Sequence, residues 1–165
     1  MMPLEKDGVI EEKDLKKSPG VPSKKRRAKG PVAVIECIQE IPCDPCVPAC
    51  PHGAITIAPT INDLPVLIEE NCDGCGLCIP ICPGLAIFLV DETKSDKEDF
   101  VSLPYEFLPV PKKGDRVELL NRRGDSVGQG EIVRVLDPKQ YDKTLVVTLA
   151  VPKGLAMDVR GFRIL

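Results

Sequence analysis

Cys72-Asp73-Gly74-Cys75-Gly76-Leu77-Cys78-Ile79-Pro80-Ile81-Cys82-Pro83 is the stretch on which the reading of this chain turns. Two residues separate each of the first three cysteines, three more precede the fourth, and a proline closes the run. Thiolates at that interval wrap one face of a compact inorganic centre when the backbone turns tightly between them. Gly74 and Gly76 permit such turns, because glycine tolerates positive φ and has no Cβ to obstruct the centre. The fourth cysteine opens a helical turn that aims its sulfur away from the first three, and Pro83 fixes the chain direction behind it.

The pattern occurs once more upstream, as Cys37-Ile38-Gln39-Glu40-Ile41-Pro42-Cys43-Asp44-Pro45-Cys46-Val47-Pro48-Ala49-Cys50-Pro51. Its last three cysteines keep the spacing and the trailing proline, and only the first interval is widened, to five residues. All eight cysteines of the 165-residue chain lie between Cys37 and Cys82. Clustered cysteines behind an N-terminus that is charged where an export signal would be apolar bind metal more often than they form disulfides. Soft anionic sulfur suits iron–sulfur clusters and zinc. Closely spaced triplets ending in Cys-Pro favour the four-iron cubane, since structural zinc sites use paired cysteines across a longer spacer.

Outward from the cysteines, the sequence reads as two copies of one unit. Val32–Ile35 is a strand running into Cys37, a helical turn falls near Ala49–Gly53, and Ala54–Ile57 is a second strand. Pro65–Ile68, a turn near Pro80–Gly84 and Ala86–Val90 repeat the plan. Ile38, Ile41, Val47, Leu77, Ile79 and Ile81 are the apolar residues placed to exclude water from the centres, while Asp44 and Asp73 oppose their reduction. His52, the single histidine, is expected on an exposed turn without a role.

The flanks differ in character. Residues 1–30 carry 9 Lys/Arg against 5 Asp/Glu, residues 31–100 carry 2 against 12, and residues 101–165 carry 11 against 8. The first segment, with Lys24-Lys25-Arg26-Arg27, has few apolar anchors and is expected to be disordered alone or wrapped on an acidic partner surface. Residues 92–99 are expected to be a charged linker. Residues 100–165 alternate apolar and polar side chains around Arg116–Leu119, Glu131–Val135 and Thr144–Leu149, with turn signals at Lys113–Asp115, Arg123–Asp125, Gly128/Gly130 and Pro152–Gly154. That rhythm predicts a small antiparallel β-barrel used for docking. No run is long and apolar enough to span a membrane, and a cytoplasmic location is expected. The basic run lacks interleaved aromatics, which argues against nucleic acid. No nucleophile–base pair or dinucleotide fingerprint occurs, so no stand-alone catalysis is expected.

Residues 32–90 resemble a bacterial two-cluster ferredoxin with one widened loop. The resemblance implies an α+β fold, in which a βαβ pair over residues 31–91 holds two [4Fe-4S] clusters and precedes the barrel of 100–165. In that family each cluster takes its fourth ligand from the other motif. Position by position, Cys37, Cys43, Cys46 and Cys82 would hold the first cluster, and Cys72, Cys75, Cys78 and Cys50 the second. The widened loop leaves open a [3Fe-4S] form of the first cluster, should Cys37 not reach it. Folding of 31–91 would then depend on iron.

Val34-Ile35-Glu36-Cys37-Ile38-Gln39-Glu40-Ile41-Pro42-Cys43-Asp44-Pro45-Cys46 is similar to ferredoxin subunits that accompany flavin-dependent amino-acid dehydrogenases, such as those for proline, hydroxyproline, sarcosine, opines and glycine. That likeness covers about residues 30–91 and, more loosely, the C-terminal module. It implies an electron-transfer subunit of a hetero-oligomer, with FAD or FMN on the partner subunits and none on this chain. The alternative is a subunit of another redox assembly, of the 2-oxoacid oxidoreductase or hydrogenase type.

Overall fold

The computed structural model describes residues 7–137 and 139–165. Among them, nine strands form two antiparallel sheets: β1 (Val32–Ile35), β2 (Ile55–Thr56), β3 (Val66–Leu67), β4 (Ile87–Asp91), β5 (Glu98–Tyr105), β6 (Arg116–Leu120), β7 (Ser126–Leu136), β8 (Leu145–Pro152) and β9 (Gly161–Ile164). Seven strands run in the order β1-β4-β5-β8-β7-β6-β9, and β2 pairs with β3 separately. Among the described residues from Gly8 onward, helix is confined to short turns: α1 (Glu12–Leu15), α2 (Lys24–Arg27), α3 (Cys46–Ala49) and a 3-10 turn at Lys139–Tyr141. None is long and apolar enough to cross a membrane.

Both cysteine repeats contribute one strand to each sheet. Val32 faces Val90 and Ile35 faces Ile87 where β1 meets β4, while Ile55 faces Leu67 where β2 meets β3. The outer strands of the two repeats therefore pair together, as do the inner ones, and each cysteine loop hangs between the pairs. Val32, Val34, Ile35, Ile87 and Val90 are almost wholly buried.

The C-terminal residues depart from the expected barrel. The large sheet is open, with β1 and β9 as its end strands and no pairing between them. It curls enough for Tyr105 of β5 to stack on Phe162 of β9, ring centres 4.8 Å apart, but hydrogen bonding does not close it. Residues 92–99 are not a linker between domains. They turn β4 directly into β5, whose Phe100 faces Asp91, so one sheet crosses the expected boundary. Lys153 secures that turn by donating to the Glu92 and Ser95 carbonyls at 2.5 and 2.8 Å. A single apolar core, from Val34 and Ile79 to Leu119, Ile132 and Leu149, follows the sheet across the same boundary.

Gly128 and Gly130 sit inside β7 instead of in a turn. A Cβ on Gly130 would lie 2.5 Å from the Ala150 carbonyl oxygen, so the glycine allows β7 to cross β8 closely.

Residues 7–30 of the N-terminal segment contact the rest of the chain; residues 1–6 of that expected tail lie outside the described residues. Pro19 and Gly20 present their carbonyls to the Leu67 and Ile35 amides at 3.0 and 2.9 Å, tying the segment to a strand of each sheet. Few apolar anchors are needed, because backbone hydrogen bonds and arginine contacts replace them. The Lys24–Arg27 run lies on this chain's own acidic block: Arg27 pairs with Glu92, and Glu69 accepts from both the Ser23 amide and hydroxyl.

Candidate metal centre

The eight cysteines gather as two groups of four. Cys37, Cys43, Cys46 and Cys82 line one recess, walled by Ile35, Ile57 and Ile87. Cys50, Cys72, Cys75 and Cys78 line a second, walled by Ala33, Ala54 and Leu67. Each group takes three thiols from one motif and the last thiol of the other. Cys37 reaches its group despite the widened loop.

The third cysteine of each motif is the deepest, at 9 % exposure for Cys46 and 7 % for Cys78, whereas Cys75 is exposed. Burial pushes the Cys46 thiol up to about 11, and the neighbouring Cys82, Cys43 and Cys37 add to the rise. Burial also lifts Cys78 to about 12, with Cys72, Cys75 and Cys50 acting in the same direction. Cys37 and Cys75 are raised mainly by burial, with Cys82 adding to the first and the Asp73 carboxylate to the second. Thiols that resist ionisation, two in each group, need a cation to become thiolates. Soft iron in an apolar recess meets that need, so the donor set fits the inferred clusters.

Local backbone geometry explains how the loops hold this shape. Gly74 and Gly76 have φ of 76° and 78°. The constraint at Gly74 comes from protein: a Cβ there would lie 2.7 Å from Pro31 Cβ. Asp73 Oδ1 accepts from the Cys75 amide at 3.0 Å, and Oδ2 lies 2.9 Å from His52 Nε2. His52 thus sits at the rim of the second group, partly exposed. After the last cysteine of each motif, Ala54 donates its N–H to Cys50 Sγ at 3.3 Å and Ala86 donates to Cys82 Sγ at 3.4 Å. The Ala33 amide approaches Cys72 Sγ at 3.5 Å. Donors to sulfur stabilise negative charge on it and raise a cluster's reduction potential.

The expected water-excluding shell is only partly present. Ile79 is fully buried, but Ile41, Leu77 and Ile81 stand 39–45 % exposed as a surface rim. Buried aliphatic residues from β1, β3 and β4 do the excluding instead.

Two features were not apparent from the sequence. Arg26 donates to the carbonyls of Glu69, Gly30, Pro31 and Cys72, the last at 2.5 Å, and so fastens the N-terminal segment to the second cysteine loop. Glu36, directly before Cys37, is 5 % exposed and held by two arginines of the C-terminal module. Arg122 donates Nε and Nη2 to the two carboxylate oxygens at 2.9 and 2.5 Å, and Arg160 Nε donates at 2.8 Å. Burial works to raise the Glu36 carboxyl, but the arginines outweigh it and hold it below its ordinary value. Burial draws the Arg160 guanidinium down to about 10, still charged at neutral pH. The one available signal was an acid ending the apolar run Val32–Ile35.

Residues 36–86 match the family model of the 4Fe-4S dicluster domain. The match supports an iron–sulfur protein of ferredoxin type and suggests electron transfer. The chain is also similar to Protein Pixie of Drosophila melanogaster, with 29% identity over 92 residues that take in 52% of this chain. This chain spans about 15% of that relative's length. No solved structure matches.

Proposed function

We propose that this chain is an iron–sulfur electron-transfer subunit carrying two [4Fe-4S] clusters. Cys37, Cys43, Cys46 and Cys82 hold the first, and Cys72, Cys75, Cys78 and Cys50 hold the second. The observation that carries the reading is the exchange of last cysteines between motifs, which leaves two complete sets of four thiols and none over. The electron donor is a flavin-bearing partner in an amino-acid dehydrogenase complex. Support for that part comes from the likeness of Val34–Cys46 to such subunits. It also comes from exposed apolar side chains, Phe107 and Leu108 at 71 % and 85 %, of the kind a permanent partner covers. A reduced flavin holds two electrons, and two one-electron clusters can drain it stepwise.

Anaerobic isolation of the chain from its native host tests both parts. Iron and acid-labile sulfide at four atoms of each per cluster, with a flavoprotein co-purifying and bleaching of the cluster absorbance by an amino acid, is the expected result. Zinc without sulfide would overturn the cluster assignment. Intact clusters with no flavoprotein bound would overturn the partner alone.

A further inference from the structure

The C-terminal module places more positive charge beside Cys37 than the neighbouring carboxylate neutralises. Arg122 already matches Glu36 with two hydrogen bonds. Arg160 adds a second guanidinium whose side chain is only 4 % exposed. Asp44 and the Asp158 that faces Arg160 are exposed and screened by water, while Asp63, half-buried, lines the space of the first thiol group and works against the arginines. Glu36, Arg122 and Arg160 share the wall of one surface recess with Cys37 and Ile38 of the widened loop.

Burying an unmatched charge is costly unless something nearby compensates it. The Ala156 and Val159 carbonyls accept from Arg160 Nη1, and its guanidinium lies 4.8 Å from the centre of the Phe88 ring. Those partners solvate the charge without neutralising it. A four-thiolate cluster supplies the missing negative charge, and one-electron reduction adds one unit more. Fixed positive charge in a low-dielectric wall favours the reduced form.

We infer that the Arg122–Glu36–Arg160 group tunes the first cluster, raising its reduction potential selectively over that of the second. These are positioning residues, since they act through the field at Cys37 and its neighbours. The inference rests on the cluster assignment above, and it gives residues 100–165 a role in electron transfer beyond docking.

Opposed charge changes at one place provide the test. Redox titration of the purified holo chain, followed by electron paramagnetic resonance, resolves the two clusters. Arg160→Gln should lower the potential of one of them, and the isosteric Glu36→Gln should raise the same one. Arg160→Lys should leave it near the wild-type value. The second cluster should not move in any of the three, and the signal that moves should be the one perturbed by Cys37→Ser. A purely structural role would disturb both exchanges in the same direction or broaden both signals. Same-signed shifts, equal shifts of both clusters, or no shift with intact circular dichroism would overturn the inference. Should Arg160→Gln fail to hold clusters, the sign of the Glu36→Gln shift decides alone. A wild-type chain without any cluster signal would remove the cluster assignment itself, a distinct failure.

Discussion

Gly53 and Leu85 hold the same place in the two cysteine repeats, each three residues beyond the last cysteine of its motif. Their φ angles are 60° and 51°, and each donates its N–H to that cysteine's carbonyl, at 3.3 and 3.1 Å. Each left-handed residue turns the chain so that the following alanine amide meets the cysteine sulfur. The repeat is thus preserved in backbone geometry even where a leucine replaces the glycine.

Gly53→Ala isolates the backbone effect, because nothing lies within 4 Å of the added Cβ. It should destabilise the holo chain by about 1 kcal/mol, the ordinary cost of a left-handed non-glycine residue. Gly74→Ala should cost more, because its methyl group meets Pro31 at 2.7 Å as well. Anaerobic thermal unfolding, followed by cluster absorbance, should rank them in that order; an equal loss would remove the steric argument.

Arg26 differs from the rest of its basic run. Arg26→Ala strands four carbonyls and should cost roughly 2–3 kcal/mol, the range for hydrogen bonds to a charged group. Arg26→Lys should not rescue it, since an ammonium cannot reproduce the forked contacts. Lys24→Ala and Lys25→Ala should stay within about 0.5 kcal/mol of wild type, as exposed substitutions do. Iron loss to a chelator is the readout. It should accelerate only in the Arg26 variants, because that guanidinium holds the Cys72 carbonyl.

Lys153 and Asp99 should behave as a coupled pair. Asp99 is buried, accepts from the Gly154 amide at 2.7 Å, and lies 3.0 Å from Lys153 Nζ. Lys153→Met leaves that carboxylate without its cation and should cost about 1–2 kcal/mol, moderated by solvent at the half-exposed lysine. Adding Asp99→Asn should recover part of the loss. Strict additivity in denaturant unfolding would show that the two groups act independently.

Both cysteine repeats were legible because metal-ligand spacing is written locally. The same holds for Val32–Ile35 and Arg116–Leu119, where apolar residues declare the strands. β5 was concealed because it starts with Glu98 and Asp99, and Asp99 owes its burial to Gly154 and Lys153 far along the chain. The open sheet was read as a barrel for a related reason. Alternation reveals strands but not their neighbours, and nothing near Phe100 announces that it faces Asp91. Apolar content gives no sign of the contacts made by the N-terminal segment, because carbonyls at Pro19 and Gly20 and one guanidinium make them. The Glu36 group joins residues more than eighty positions apart and has no local pattern.

Iron removal should separate the molecule into responsive and unresponsive parts. The sequence alone suggests that 31–91 is largely unfolded without clusters, but β4 lies between β1 and β5 in the large sheet and shares its core. β5 and β8 pair along eight residues from Glu98–Pro152 to Tyr105–Leu145, with no cysteine involved. The loops of 36–86 have only the two-residue β2–β3 pair and the four-residue α3 between them. Hydrogen exchange on the apo chain should therefore show protection lost across 36–86 and retained in β4, β5 and β8. Loss throughout the chain would mean that the clusters support the entire core. Retention throughout would mean that the cysteine loops are preformed, and that their thiols converge without help from iron.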